Sequence, residues 1–417
     1  MHSYNIHNKW DPLKVCMLGN NYAPEFFDGC DPKASDPLKR ICEETLEDLE
    51  GYRDVLQQFG VNVIQPEMDP TERFLDNPHR YPRGPLQVRD CQLVIGNTLV
   101  YTHVDHPAIK NCLDQYNKND VFVVDNFFTN MPMLELTFNG FAQDAADWPT
   151  YDEYCYRKTH NMPISDIPAI QKEFNEIHSD PTVGKNWKPL FGIDKFPVGA
   201  PSITLVGNDI YLDTVSNDEI QKLDRIVIDK IFRWLNQGNF KNFRKNYLAI
   251  GGHSDGCFHT VKPGAILSLK NIQAYESTFP GWDVCYLPEQ SWDKVDDFLK
   301  LKKQNAGKWW LAGEEDNNEF THFVETWLTD WVGYVEETVF DVNVLMLDEH
   351  HCCVSNPYNK QVNAFFKKHK IEPVYVPWRH RYFWDGGLHC ITLDLYREGT
   401  QKDYFPERLH GITDAGF

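Results

Sequence analysis

The pattern of hydrophobic and polar residues predicts an order of strands, turns and helices that recurs along the chain. The clearest copy has strand-like runs at residues 203–206 and 210–212, separated by a turn at Gly207 and Asn208. Glycine and asparagine tolerate the positive φ that tight hairpin turns require. An amphipathic helix follows from the capping residue Ser216, and an apolar strand at 247–250 ends the copy. The pattern predicts a ββαβ unit.

The same order of elements is found in four other places. One copy has strands at 92–95, 98–101 and 121–124, and another has a hairpin at 260–269 and a strand at 284–286. A further copy has strands at 342–347, 352–354 and 373–376 around a helix at 357–369. The last is divided between the termini: 390–395 pairs with 14–18, a helix runs from Pro37, behind an Asp36 cap, to Phe59, and 61–64 is its strand.

Five units joined through the termini imply a closed ring around a central channel. The predicted fold is therefore a single α/β domain over residues 1–417, a five-module ββαβ propeller with pseudo-fivefold symmetry. Two stretches, about 127–198 and 289–337, do not fit the repeat and are interpreted as insertions. Insertions of this length usually cover a scaffold as lids or substrate loops. The tryptophans of the second insertion are expected in the core or in a lid.

Composition narrows the classes of partner. With 41% hydrophobic and 14% aromatic residues the chain is globular, and its net charge of −20 argues against nucleic acid and anionic membranes. No apolar run is long enough to span a bilayer, and the start shows no signal peptide. Eleven cysteines without CxxC pairs favour reduced thiols in a cytoplasmic compartment.

Residues capable of covalent chemistry occupy one equivalent place, just before the hairpin of a unit. Cys390 follows the glycines at 386 and 387, His253 and Asp255 follow the glycines at 251 and 252, and Arg89 and Asp90 precede a third hairpin. A cysteine, a histidine and carboxylates brought together by folding are what thiol catalysis needs. The register predicts that they meet at one rim of the channel.

Each of these residues also has a structural interpretation. A buried cysteine is more often a small hydrophobic residue than a nucleophile, Asp90 could cap a turn, and His253 could be a loop histidine. Their coincidence at equivalent positions favours catalysis. The run Glu349, His350, His351, Cys352 and Cys353 spans a hairpin turn, where alternate side chains face opposite ways, so no zinc or other metal site is predicted.

Several stretches, in order along the chain, identify a family. They are 89–97, 253–258, 263–264, 343–349 and 385–400. In them the chain resembles the amidinotransferases that act on L-arginine and glycine or on inosamine phosphates, members of the guanidino-group-modifying superfamily. That resemblance implies a pentein-like five-module α/β propeller, in agreement with the repeat.

The resemblance also implies roles for individual residues. Cys390 would be the nucleophile and His253 the general acid and base, while Asp90 and Asp255 would bind the guanidinium, with Arg89 beside them. Carboxylates can grip a planar guanidinium through paired hydrogen bonds. Arg379, with Arg381, would either bind a substrate carboxylate or lie on the surface. Neither a metal nor an organic cofactor is required.

Two positions depart from the family pattern. Gly199 stands where the family has an acid that assists the histidine, and Asp194, Glu336 or Glu337 could substitute for it. Ile272 stands where an arginine would bind the carboxylate of the donor.

Three functions follow. The first is an amidinotransferase that moves an amidino group from L-arginine, or a related guanidine, to an amine acceptor through an amidino-cysteine. The second is a guanidine hydrolase or deiminase on the same fold, and the third is a catalytically impaired binding homologue. The expected partners are the guanidine donor and the amine acceptor, and the chain could also form a homodimer.

Overall fold

The structure is a computed structural model, and its description covers part of the chain. The described residues are 4–76, 83–101, 106–116, 121–123, 200–213, 243–248, 253–269, 275–287, 310–328, 331–332, 341–384, 386–409 and 411. The first predicted insertion, at 127–198, and the predicted helix from Ser216 lie outside them. Within these residues, no helix combines the length and the apolar character needed to cross a membrane.

Fifteen strands are present in the described residues. They are β1 (Leu13–Leu18), β2 (Asn62–Ile64), β3 (Gln92–Ile95), β4 (Thr98–Tyr101), β5 (Val121–Val123), β6 (Ile203–Val206), β7 (Asp209–Asp213), β8 (Arg244–Leu248), β9 (Phe258–Lys262), β10 (Ala265–Ser268), β11 (Asp283–Tyr286), β12 (Leu345–Met346), β13 (His351–Val354), β14 (Glu372–Tyr375) and β15 (Thr392–Arg397).

The helices are distributed between the strands. They are α1 (Pro32–Gln58), α2 (Pro107–Tyr116), α3 (Ser254–Cys257), α4 (Tyr275–Thr278), α5 (Asn318–Trp327), α6 (Lys360–Lys368) and α7 (Arg381–Trp384), with short 3-10 helices at Pro24–Phe27, Phe74–Asp76 and Ala200–Ser202.

The strands form five three-stranded sheets of one topology. Their orders are β15-β1-β2 (sheet 1), β3-β4-β5 (sheet 2), β6-β7-β8 (sheet 3), β9-β10-β11 (sheet 4) and β12-β13-β14 (sheet 5). In each sheet the middle strand has one antiparallel and one parallel neighbour. An antiparallel pair needs only a tight turn, whereas a parallel strand needs a crossover. Gly96 and Gly207 supply the positive φ at two of these turns. The strand pattern of the five predicted units is thereby confirmed.

Sheet 1 joins the two ends of the chain. Strand β1 pairs antiparallel with β15, with Leu18 opposite Thr392 and Val15 opposite Tyr396, and it pairs in parallel with β2. This is the pairing that the divided repeat predicts, and it is confirmed. It places Cys390, just before β15, beside the end of β1.

Apolar clusters link each sheet to the next and the last sheet to the first. Met17, Leu93 and Leu205 share a cluster from sheets 1, 2 and 3; Tyr211 and Phe258 join sheets 3 and 4; Leu267 and Met346 join sheets 4 and 5; Leu345 and Leu18 join sheets 5 and 1. The order of packing is therefore cyclic. Because all these side chains are buried, the sheets depend on one another for their cores.

Helix α1 begins earlier than predicted. The expected start at Pro37 behind Asp36 is wrong: the helix starts at Pro32, and the Asp31 side chain caps it by accepting from Lys33 N at 3.0 Å. Pro37 lies inside the helix and cannot donate to the carbonyl of Lys33. Asn317 Nδ2 donates to that carbonyl at 2.7 Å instead. A contact distant in sequence thus satisfies the group that proline leaves unbonded.

Part of the second predicted insertion lies in the core. Residues 310–328 and 331–332 are described, and α5 packs on α1. Trp310 and Trp331 are buried, and the Trp331 ring stacks on Trp384 with centroids 5.9 Å apart. Trp327 is partly exposed. This portion completes the core around α1. Trp310 and Trp331 have the core position that was one of the two expected for the tryptophans of this insertion, whereas Trp327 does not.

A buried ion cluster holds the C-terminal strand. The Asp394 carboxylate accepts from Arg397 Nε at 2.7 Å and from an Arg89 Nη at 2.7 Å. Arg397 also donates to the carbonyls of Asp11 and Met346, at 2.6 and 2.7 Å. Burial alone would raise the pKa of Asp394, but Arg397 and Arg89 together hold that pKa well below its usual range. The cluster links β15 to the N-terminal segment, sheet 2 and sheet 5.

We expect Asp394→Asn to lower the free energy of unfolding by about 3–5 kcal/mol, because it leaves two buried guanidinium groups without their anion. Urea unfolding at neutral pH measures the change. The control is Glu319→Gln, which breaks an exposed pair with Lys33 and should cost no more than about 1 kcal/mol. Equal effects from the two variants would contradict the importance of the cluster.

Candidate active site

The segments that precede three hairpins meet at one place. Cys390 lies two residues before β15, Asp90 lies two residues before β3, and Asp255 lies in α3, directly before β9. The backbone N–H of Arg89 donates to the carbonyl of Cys390 at 3.3 Å. His389 contacts the Asp255 carboxylate at 2.6 Å. Through these bonds, Arg89, which adjoins Asp90, and His389, which adjoins Cys390, form one cluster with Asp255.

The turn that carries Cys390 is fixed from several sides. Trp378 Nε1 donates to the carbonyl of Gly386 at 2.9 Å, and Gln87 Nε2 donates to the carbonyl of Trp384 at 2.7 Å. Cys390 itself is 1% exposed. A side chain held this way has few alternative positions, which suits a nucleophile that must meet its target in one geometry.

Asn343 hydrogen-bonds the cysteine, and the sequence analysis assigned it no role. Its Nδ2 donates to Cys390 Sγ at 2.9 Å, while its Oδ1 accepts from the backbone N–H groups of His389 and Cys390 at 2.9 and 3.3 Å. A Cβ at Gly387 would lie 2.7 Å from Asn343 Cβ, so only glycine admits this approach. Its place in the sequence could have pointed to this role, because Asn343 lies two residues before β12 just as Cys390 lies two residues before β15.

His389 and Asp255 form a buried pair that the sequence analysis also missed. His389 Nδ1 lies 2.6 Å from Asp255 Oδ2, and both residues are about 2% exposed. Because a carboxylate oxygen accepts, Nδ1 carries the proton. Burial, and then the nearby cations Arg89 and Lys9, hold the pKa of His389 well below its usual range.

His253 is half-buried and is the residue that precedes α3. The hydroxyl of the adjacent Ser254 donates to the carbonyl of Pro201 at 2.7 Å and lies 3.1 Å from the Thr204 hydroxyl. These bonds tie the His253 segment to the residues that follow Gly199. Gly199 itself, with Asp194, Ile272, Glu336 and Glu337, lies outside the described residues, so the identity of an assisting acid stays a prediction.

The predicted arginines are held by the protein itself. Arg89 Nε donates to the carbonyls of His389 and Thr392, at 2.9 and 2.8 Å, and its Nη bonds Asp394. Arg89 therefore holds the main chain on both sides of Cys390 in place.

Arg379 contacts helix α1 and not the cysteine turn. Its Nε donates to Asp48 Oδ1 at 2.8 Å, and an Nη donates to Glu47 and to the carbonyl of Glu44. Asp90 is less enclosed than Asp255, and its carboxylate pairs with Arg83 at 3.3 Å. Of the four predicted substrate-binding residues, Asp255 thus contacts the cysteine turn through His389 and Asp90 adjoins it through Arg89, whereas the guanidinium groups of Arg89 and Arg379 serve internal contacts.

Further buried polar groups lie behind the site. The Nζ of Lys9 and both ring nitrogens of His259 have no hydrogen-bond partner among the described residues. The His259 ring stands edge-on to His389, with centroids 5.0 Å apart. Burial, opposed in part by Asp255, lowers the pKa of Lys9 to about 8. Burial, and then Lys9, holds the pKa of His259 well below its usual range.

Within the described part of the chain, no group of three or more His, Cys, Asp or Glu residues could hold a metal ion. In the run at 349–353, His351 Nδ1 contacts Asp348 at 2.9 Å, and Cys352 and Cys353 are buried in β13. Asp348 also accepts from the backbone N–H groups of His350 and His351. These contacts build the hairpin turn.

Comparison with known proteins gives relatives over nearly the whole chain. No family model matches. The mitochondrial glycine amidinotransferase of Xenopus tropicalis is 22% identical, over 96% of this chain and 84% of that protein. That of Danio rerio is 21% identical with the same coverage.

Two solved structures share the fold. The amidinotransferase SxtG from Microseira wollei superposes with a TM-score of 0.52 and 16% identity, covering 96% of this chain and 99% of the other. The inosamine-phosphate amidinotransferase from Streptomyces griseus gives a TM-score of 0.53 and 14% identity, covering 97% and 99%.

Replacing Asn343 should affect the chemistry of Cys390. We expect Asn343→Ala to slow alkylation of Cys390 by iodoacetamide about tenfold, because the donor to the sulfur is lost and two backbone N–H groups lose their acceptor. Mass spectrometry of the Cys390 peptide over time measures the rate. Asn356→Ala is the control, since that side chain bonds Asp341 instead. An unchanged rate in Asn343→Ala would contradict the assigned contact.

Lys9 should make stability depend on pH in the alkaline range. Its pKa is about 8 in the folded protein and 10.5 for an unperturbed lysine. Between these values the unfolded chain holds the extra proton, so the free energy of unfolding should rise with pH, by roughly 3 kcal/mol in all. Lys9→Met should remove this rise, and the exposed Lys367→Met should keep it. Urea unfolding at several pH values is the measurement, and an unchanged slope in Lys9→Met would show the attribution to be wrong.

Proposed function

The chain is a relative of the amidinotransferases, and from that premise we propose that it transfers an amidino group from L-arginine, or a related guanidine, to an amine acceptor. One observation carries the proposal: Cys390 Sγ accepts from Asn343 in a fixed turn, while the Asp255 carboxylate lies one residue away through His389. A nucleophilic sulfur beside a buried carboxylate suits a cationic, electrophilic guanidinium carbon.

The proposed reaction has two halves. The guanidinium is bound by Asp255 and Asp90, and the Cys390 thiolate attacks its central carbon to form a tetrahedral species. The bond from that carbon to the alkylated nitrogen then breaks, and His253 gives a proton to the departing amine. With arginine as donor, ornithine leaves and an amidino-cysteine remains. His253 next takes a proton from the acceptor amine, which attacks the same carbon and releases the thiolate.

The charges of the groups involved favour this order of reaction steps. A free cysteine is only about a few per cent thiolate at neutral pH, since its pKa is near 8.5. A bound guanidinium next to the sulfur stabilises the thiolate, and Asp255 and Asp90 are the carboxylates that would hold the cation. The Asp90 pair with Arg83 would open or be shared when the substrate binds. The two internally bonded arginines, Arg89 and Arg379, have no place in the proposed substrate contacts.

The proposed reaction is consistent with a propeller arrangement of the five sheets. The cyclic packing order of the five sheets supports a single domain in the form of an α/β propeller with pseudo-fivefold symmetry. In such a ring the segments before the hairpins share one rim, which is consistent with the bonds that link the segments around Cys390, Asp255 and Asp90.

Incubation with L-arginine and a panel of primary amines, glycine included, tests the proposal. We expect ornithine release that depends on the acceptor, and a gain of one amidino group on Cys390 when no acceptor is present. Cys390→Ala should lower turnover at least about 10³-fold, and His253→Asn about 10²- to 10⁴-fold. The control Cys112→Ser changes a half-buried cysteine on α2 and should leave turnover unchanged.

Other results would select the other functions. Citrulline or ammonia formed without an acceptor would indicate a hydrolase or deiminase. Absence of an adduct and of turnover with arginine and every other guanidine in the panel would indicate a binding homologue.

A further inference from the structure

The two oxygens of Asp255 have different surroundings. Oδ2 accepts a hydrogen bond from His389 Nδ1 at 2.6 Å. Oδ1 is buried and has no hydrogen-bond partner among the described residues. A buried carboxylate oxygen without a donor costs free energy, so its presence points to a ligand group that donates to it. In the proposed reaction that group is the guanidinium of the donor.

The surroundings of the histidine that donates to Oδ2 disfavour an imidazolium. Burial, and then the nearby cations Arg89 and Lys9, hold the pKa of His389 well below its usual range. Its Nε2 is buried without a hydrogen-bond partner in the described part of the chain, and His259 stands against its ring. A neutral donor holds the Asp255 carboxylate without adding a positive charge next to it. An imidazolium would instead pair with the carboxylate and compete with a cationic substrate.

The same histidine is rigidly tied to the cysteine. Its backbone N–H donates to Asn343 Oδ1 at 2.9 Å, and Asn343 Nδ2 donates to Cys390 Sγ. Asn343, His389 and Cys390 thus form one bonded unit, and Asp255 is attached to it through the imidazole. The distance between the carboxylate and the sulfur is therefore set through His389, although the two groups belong to different sheets.

We propose that His389 is a positioning residue for the donor: its Nδ1–H holds one oxygen of Asp255, so that the other faces the guanidinium at a fixed distance from Cys390 Sγ. This inference rests on the proposed function. His389 itself touches neither the reacting carbon nor the leaving group, and its effect on the reaction passes through Asp255.

Two substitutions separate the hydrogen bond from the bulk of the ring. The amide nitrogen of asparagine can take the place of Nδ1, whereas that of glutamine takes the place of Nε2. We expect His389→Asn to retain donor affinity within about threefold. His389→Gln should weaken it about 10- to 100-fold, the range found when a buried supporting hydrogen bond is lost.

Calorimetric titration with L-arginine and with methylguanidine is the measurement, made in a Cys390→Ser background so that binding is read without turnover. The control is His380→Gln, a buried histidine whose Nε2 lies 2.6 Å from Glu44 on α1, and it should leave both affinities unchanged. Thermal unfolding of every variant reports whether it remains folded.

Each outcome has a definite meaning. Retention in His389→Asn with loss in His389→Gln supports the proposal, and so does retention in His389→Asn alone if the glutamine variant does not fold. Equal affinity in both variants, or loss in a folded His389→Asn, overturns it while leaving the proposed function standing. Absence of binding in the Cys390→Ser parent overturns the proposed function, and this inference with it.

Discussion

The buried carboxylate of Asp394 is the constraint on which the arrangement around the cysteine depends. Two guanidinium groups grip it, and each also donates to main-chain carbonyls: Arg397 to the N-terminal segment and sheet 5, and Arg89 to the residues on both sides of Cys390. Charges this deeply buried are tolerated only when they are paired and hydrogen-bonded, so their geometry is restricted. The last strand, the first strand and the cysteine turn are fixed together as a result.

The candidate active site is consequently part of the core. Cys390, Asp255 and His389 are almost fully buried, and the apolar side chains of Trp384 and Leu388, which precede Cys390 in the chain, are buried as well. Low polarity strengthens every charge interaction there, which benefits recognition of a guanidinium. It also makes each unpaired polar atom costly, and Asp255 Oδ1 is such an atom. The guanidinium of the proposed donor would supply a partner for that atom.

Several features could be predicted because they depend on local sequence. The hairpins follow from short apolar runs on both sides of turns such as those at Gly96 and Gly207, where positive φ is required. The position of the cysteine, the histidine and the carboxylates before hairpins follows from the repeat. The start of α1 could not be predicted in this way, because Pro37 ordinarily marks a helix start, and Asn317, far along the chain, provides the bond that lets the helix continue.

The sequence by itself thus determined the five units, their connection through the termini, and the residues able to carry thiol chemistry, because each rests on periodicity, turn chemistry or position within a unit. Only the tertiary structure decided the partner of each charged or polar side chain. Arg89 and Arg379 bond internal groups, Asn343 bonds Cys390, and His389 bonds Asp255. The physical reason is that a hydrogen bond or ion pair is a property of two groups in space, and these pairs join segments that are distant along the chain.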